Sequence, residues 1–247
     1  MLNIFKQFIK PSEHRGFTLA EVLITLGIIG VVAAMTLPSV INSYEKKETI
    51  SKIKKVYSVL SQTSLFAIPE YGDPEGWEMP TGSSVATGKF FAEKYLIPYL
   101  NVARVCESNN NPDCNYTIYK LNGSPFTDYI YTRTYRFYLN DGTFLMVHTG
   151  GDSQHPKLVV ILFDINGKRG QNKLGRDIFI LQYLLQTNLP QSKEYQGKFI
   201  PAWGDYDSRN ELLGTGNNQY CNKTKEGRAC LAVIFMDGRE IKSDYPW

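Results

Sequence analysis

HRGFTLAEVLITLGIIGVVAAMTLPSV, residues 14–40, sets a basic residue and a glycine before a long apolar run, and places an acid, Glu21, near the start of that run. From Phe17 to Ile41 there are 25 residues and one formal charge. A helix needs about 20 apolar residues to cross the hydrocarbon core, so the run is long enough to span a bilayer. A secretory signal is arranged the other way: a shorter apolar core of about 7–15 residues, with a small-residue cut site after it. Here the obvious processing junction, Arg15-Gly16-Phe17, precedes the run. A lone carboxylate in hydrocarbon costs several kcal/mol unless it is paired or neutralised, so Glu21 needs a physical reason.

The residues HRGFTLAEVLITLGIIG resemble the N-terminal signature of the type IV pilin and type II secretion pseudopilin family. The likeness covers roughly Arg15 to Ile68, and the rest of the chain shares only general architecture. The resemblance implies a basic leader cut after Gly16 by a prepilin peptidase, leaving Phe17 as an N-methylated N-terminus. It implies that Glu21, the fifth mature residue, meets the Phe17 amine of a neighbouring subunit in an assembled bundle. A burial penalty then becomes a driving force for register. The alternative is a tolerated acid near the interface, snorkelling toward headgroups. The family also places a helix distortion between the positions of Gly30 and Pro38. Against this stands the ordinary use of glycine and proline in membrane helices, Gly27 included. The partners implied are other pilin-like subunits, the peptidase, an inner-membrane assembly platform and membrane lipid.

Lys6, Lys10 and Arg15 precede the span, while Lys46, Lys47, Lys52, Lys54 and Lys55 follow it. A bare positive-inside count favours the opposite orientation, but a long C-terminal domain translocates largely regardless of charge. The resemblance implies a cytoplasmic leader, a single inner-membrane pass and a periplasmic or extracytoplasmic remainder.

Beyond the span, Ile50, Ile53, Val56, Tyr57, Leu60, Ser64 and Ala67 follow helical spacing, with lysines and serines on the other face. This predicts an amphipathic continuation ended by Pro69. Residues 69–128 read as a loop-rich connection holding one short helix, Lys89–Leu100. Strand signals then begin: Tyr129–Leu139, a hairpin turn at Asn140-Asp141-Gly142 followed by TFLMVHT, then Lys157–Ile165 and Asp177–Leu185. LAVIFM-DG-REIK reads as a second hairpin around Asp237-Gly238. The expected fold is α+β, one long helix packed on a C-terminal antiparallel sheet. Its segments are a leader (1–16), a membrane half (17–41), an amphipathic half (42–68), a connection (69–128) and a β domain (129–247).

The 247 residues suffice for one ordinary core, and 43% hydrophobic residues place the chain among folding sequences. A net charge of +3 gives no indication of nucleic-acid binding. Sixteen tyrosines and thirteen phenylalanines suit a β-rich chain. The four cysteines form two close pairs, Cys106 with Cys114 and Cys221 with Cys230, without C-x-x-C spacing or a nearby histidine. That excludes a zinc pattern and leaves two short-loop disulfides or four reduced thiols; the export signal favours the disulfides.

No catalytic constellation is present. His14 lies in the leader, and His148 and His155 read as a strand and a loop histidine. Neither H-E-x-x-H nor G-x-S-x-G occurs. TGSSVATGKF has one residue too many between its glycines for a phosphate loop, and Phe90 where Ser or Thr should bind magnesium. The sequons at Asn115, Asn122 and Asn222 are expected by chance. In DINGKRGQNKLGRD, oxygens of Asp164, Asn166, Asn172 and Asp177 form a candidate calcium set, opposed by Lys168, Arg169, Lys173 and Arg176. The alternative is an Asn-Gly turn in a polar loop. The function expected is therefore a non-enzymatic filament subunit, of a pseudopilus or a type IV pilus. Two alternatives remain: a minor or tip subunit that binds a ligand or secreted substrate, and an anchored enzyme.

Overall fold

The computed structural model describes residues 16–106, 111–151, 156–202 and 208–247. Residues 1–15 of the expected leader, with Lys6, Lys10, His14 and Arg15, and also His155, lie outside the described residues. The chain divides into two compact units, Met1–Glu45 and Lys46–Trp247.

Helix α1 runs Leu19–Tyr71 without interruption through Gly30 and Pro38. It does not stop at Pro69. Proline lacks only its own N–H, and near a helix end that costs a single bond. The stop is Gly72, whose φ of 75° takes the left-handed position after the last turn while its N–H donates to the Ile68 carbonyl at 2.8 Å. From Lys46 onward α1 buries Thr49, Ile53, Val56, Leu60, Thr63, Ser64 and Ala67, one stripe at steps of mostly three and four.

The stripe packs on a six-stranded sheet: β1 (Val102–Val105), β2 (Tyr135–Leu139), β3 (Phe144–Gly150), β4 (Lys157–Asp164), β5 (Ile178–Gln186) and β6 (Phe199–Pro201). The strands lie in sequence order, each antiparallel to its neighbour. Alternate side chains serve two cores. Leu145, Val147, Val159, Ile161, Leu181 and Tyr183 join the α1 stripe. Phe144, Met146, Val160, Leu162, Ile178 and Ile180 face a second cluster with Tyr116, Ile118, Phe126 and Tyr131. Burial on both faces explains why these strands read as unbroken apolar runs.

Short helices complete the unit. α2 (Val85–Phe91) starts four residues before the expected helix, because Ser84 and Thr87 form a capping box. A π turn (Ala92–Leu96) and a 3-10 turn (Ile97–Tyr99) then carry the chain to β1. Gly88 lets α2 approach the sheet, since a Cβ there would lie 2.5 Å from the Val147 carbonyl oxygen.

Two strand expectations are corrected. Tyr129–Thr132 forms a helical turn, α3, because Asp128 accepts the Ile130 N–H at 2.8 Å and caps it; only Tyr135–Leu139 is strand. The expected second hairpin is a helix. After the short α4 (Arg209–Leu212), Cys230–Met236 forms α5, with residues 230–234 buried. A short apolar run suits a buried helix or strand equally. Here Gly238 (φ 74°) and Arg239 (φ 65°) close the helix end, and the Arg239 N–H reaches the Ile234 carbonyl at 2.8 Å. The edge strands β1 and β6 had no sequence expectation, being only four and three residues long.

Candidate assembly site

The N-terminal segment gives Glu21 a local partner. The Thr18 N–H and hydroxyl both donate to Glu21 Oε2 at 2.8 Å, and the Glu21 N–H donates to Thr18 Oγ1 at 3.2 Å. This is a reciprocal capping box at the first turn of α1, where the helix dipole also favours an anion. Thr25 and Thr36 return their hydroxyls to carbonyls of their own helix, at 2.9 Å. Back-bonding of this kind satisfies polar groups where no water is available.

Among the described residues, the apolar side chains of this segment are left largely exposed. Phe17 is 88% exposed, and Leu23, Ile24, Ile28, Ile29, Val31 and Val32 are all more than half exposed. The most apolar 18-residue window of α1 has a mean hydropathy of 2.2 and is wholly unburied. A Cβ at Gly16, Gly27 or Gly30 would meet nothing within 4 Å. The flat strip at Gly27 and Gly30 is thus open for a second helix to approach.

In the second unit the cysteines pair as Cys106–Cys114 and Cys221–Cys230, with Cα separations of 6.0 and 4.6 Å. The four candidate calcium residues share the β4–β5 loop, but their carboxylates are occupied. Asp164 Oδ1 accepts the Asn166 N–H at 3.0 Å, and Oδ2 accepts the Tyr116 hydroxyl at 2.8 Å. Asp177 Oδ1 and Oδ2 accept the N–H groups of Lys173 and Asn172 at 2.6 and 2.8 Å. Among the described residues, the buried side-chain oxygens of this loop left without donors are Asn166 Oδ1 and Asn172 Oδ1, well short of the six to eight oxygens a calcium ion takes. Burial pushes the Asp164 carboxyl up to about 8 and raises Asp177 in the same direction. The loop fits carboxylates that organise backbone.

His148 is buried on β3, and its Nε2 lies 3.3 Å from Ser83 Oγ at the side of a cavity of about 640 Å³. Desolvation lowers its pKa, which favours the neutral ring. Arg136, also buried, has no carboxylate partner among the described residues. It donates to the carbonyls of Cys114 and Tyr131 at 2.7 and 2.8 Å and stacks on the Tyr131 ring, holding the segment that covers the second core. Among the described residues no group of three or more His, Cys, Asp or Glu could hold a metal ion.

Residues 39–247 match the family described as Family of unknown function (DUF6613). The chain belongs to that family. Residues 12–37 of this DUF6613 member match the prokaryotic N-terminal methylation motif, a type IV pilin-like prepilin signature. No curated protein and no solved structure matches the chain. The two matches nearly abut, so the motif and the globular part together account for nearly all of it. The signature is that of a membrane-anchored, prepilin-processed, pilin-like protein, a structural class.

Sequence reasoning singled out Gly16, Phe17 and Glu21 but passed over Thr18. The signal was present: Thr18-Leu-Ala-Glu21 before an apolar run has the T-x-x-E spacing of a capping box.

Proposed function

We propose that this chain is a structural filament subunit. A prepilin peptidase cuts between Gly16 and Phe17, Phe17 is N-methylated, and the apolar half of α1 polymerises with other pilin-like subunits on an inner-membrane platform. The product is a type II secretion pseudopilus or a type IV pilus-like filament. The leader stays in the cytoplasm and Lys46–Trp247 lies outside. Two oxidised cysteine pairs support that side, since such bonds persist in oxidising compartments.

The observation that carries this reading is an acid placed four residues after the processing junction, on a helix whose apolar surface is unburied within its own chain. The capping box supplies the monomer's half of the account. Before assembly Glu21 is satisfied by Thr18, so the acid can wait in the membrane at low cost. In a bundle, the Phe17 amine of a neighbour adds a full positive charge to the same carboxylate. The exchange sets axial register, because only one stagger brings the two together.

Peptide mass spectrometry of membrane fractions tests processing. The expected N-terminal peptide begins at N-methylated Phe17. A mature chain beginning at Met1, or beyond Ile41, overturns the reading. A second reading, a minor subunit whose outer unit holds a ligand, draws on the cavity beside His148 and Ser83. Its discriminator is abundance: a major subunit dominates sheared filaments, and a minor one does not.

A further inference from the structure

We propose that the outer unit, where its part of α1 begins, carries a site for the phosphate of an anionic phospholipid headgroup, built from Lys46, Arg176 and Trp247. The proposal rests on the reading of the chain as membrane-anchored.

Five lysines follow the span between residues 46 and 55. The structure gives carboxylate partners to two of them: Lys52 pairs with Glu48 at 3.0 Å, and Lys55 with Asp141 at 2.7 Å. Lys46 does something different. Its ammonium stands 5.9 Å from the ring centre of Trp247, and the guanidinium of Arg176 stands 4.3 Å from the ring centre of the same residue. Two cations from distant parts of the chain thus converge on one indole.

Two donors of this cluster lack acceptors among the described residues. Arg176 Nη1 and Trp247 Nε1 are enclosed donors, and neither has a hydrogen-bond partner among the described residues. An unsatisfied enclosed donor is costly, and native structures rarely leave two side by side. Guanidinium and indole N–H groups only donate, so what is missing is an acceptor. Beside two cations, that acceptor is an anion. A phosphate matches best, because its oxygens take several donors at once and the guanidinium fork suits it.

The surrounding structure fixes the cluster. The Tyr245 hydroxyl donates to the Gly175 carbonyl at 2.6 Å, tying the Arg176 loop to the C-terminal segment. Gly175 has no room for a side chain, since a Cβ there would lie 2.7 Å from Cys230 Sγ. Arg176 and Trp247 are therefore held together by the fold and do not meet by chance on a loose surface.

Chain connectivity names the source of the phosphate. Lys46 follows Ile41, the end of the apolar run, by five residues. Five residues reach at most about 18 Å even fully extended, which keeps Lys46 near the headgroup layer in any geometry. Tryptophan and basic side chains are the residues that settle at that layer. Two cations also select against zwitterionic headgroups, whose ammonium they repel. Phosphatidylglycerol fits, and phosphatidylcholine does not.

The test uses the full chain reconstituted in nanodiscs of equal phosphatidylglycerol and phosphatidylcholine. It is then extracted in mild detergent, and retained lipid is identified by native mass spectrometry. The expected result is enrichment of phosphatidylglycerol on the order of tenfold. Enrichment should be lost in Arg176→Gln/Lys46→Gln, with insertion and far-ultraviolet circular dichroism unchanged. A parallel arm adds inorganic phosphate alone. Displacement of the lipid by millimolar phosphate would make this a free-anion site and overturn the lipid assignment. Equal retention of both lipids by the parent, or undiminished enrichment in the variant, also overturns it. If the variant's only defect is in filament yield, the cluster pairs with another subunit and the proposal fails. Failure of the parent to insert at all would instead remove the anchoring reading, and the proposal with it.

Discussion

The two halves of α1 share one continuous backbone and live in different surroundings. From Leu19 to Glu45, leucine, isoleucine and valine point in every direction and remain open; Leu26 is 60% exposed. From Lys46 to Tyr71, the buried apolar positions form one stripe, in which Ile53, Val56, Leu60 and Ala67 are 2% exposed or less, while Leu65 and Phe66 stay exposed outside it. A helix that is apolar all round has no outward face, so its solvent is lipid or other helices. A helix with one buried apolar stripe packs on that side alone, here against the sheet and the short helices of its own unit. On the function proposed above, the same element is an anchor and assembly rod in one half and a core component in the other.

The largest expected effect breaks this comparison in the first half. Glu21→Ala and Glu21→Gln should both remove filaments from sheared fractions while leaving the chain in membranes. Losing one member of a buried charged pair costs about 3–5 kcal/mol at each subunit contact. Glutamine keeps the capping-box geometry but not the charge, so it separates the two roles of Glu21. Thr18→Ala is the counterpart: it should cost the helix start about 0.5–2 kcal/mol and spare assembly. If Glu21→Gln assembled like the parent, the first half of α1 would be an anchor and nothing more.

The next effect contrasts the halves directly. Leu60 lies fully buried against the sheet, so Leu60→Ala should lower the stability of the outer unit by about 2–5 kcal/mol. Leu26→Ala, on the open half, should leave the thermal midpoint of that unit unchanged. Equal shifts in detergent-solubilised protein would show that the two halves are not independent in the way described.

Much of this was legible because it is periodic or compositional. The span is a run, the stripe follows the helical repeat, and the hairpin at Asn140-Asp141-Gly142 carries its own turn chemistry, with Gly142 at φ 87°. What was not legible depends on single side chains or on tertiary context. Asp128 converts the first residues of a β-rich stretch into a helical turn. Ser84 starts α2 where the glycines and serines had suggested, and then failed as, a phosphate loop. The apolar run 231–236 carries no period, and its helical state follows from the closed end at Gly238 and Arg239. β1 and β6 are too short to signal themselves. At the assembly site, the resemblance drew attention to the charge on Glu21. The hydroxyl that satisfies that charge sat three residues earlier in plain view.

A smaller effect sharpens the account of the outer unit. Cys221 and Cys230 are fully buried, and Cys230 opens α5. Closing a loop of this size should stabilise by about 2–3 kcal/mol through the unfolded chain. Replacing both by serine should therefore lower the outer unit's melting temperature without altering insertion. The same exchange at Cys106 and Cys114 should cost less, because no helix begins there. A free-thiol assay on protein from the cell envelope is the accompanying check; reactive cysteines would contradict both the pairing and the compartment.

The last effect concerns Asp164, and its sign is opposite to that of an ordinary surface carboxylate. Burial holds its pKa at about 8, whereas in the unfolded chain it returns to about 3.9. The folded state therefore keeps a proton that the unfolded state releases. Stability from this group is complete below about pH 4 and declines as pH rises through about 8. Asp177, raised by burial in the same loop, acts in the same direction. In the protonated form, one Asp164 oxygen accepts the Asn166 N–H while the other side faces the Tyr116 hydroxyl. Asparagine keeps the Asn166 contact through its carbonyl oxygen, and its amide donates to the Tyr116 oxygen as a protonated acid would, with the phenolic hydrogen turned away. Asp164→Asn should then flatten the decline in melting temperature between pH 5 and 8, measured on the full chain in detergent, and match the parent at the acid end. A parent whose stability instead rises over that range would mean that Asp164 is ionised in the fold.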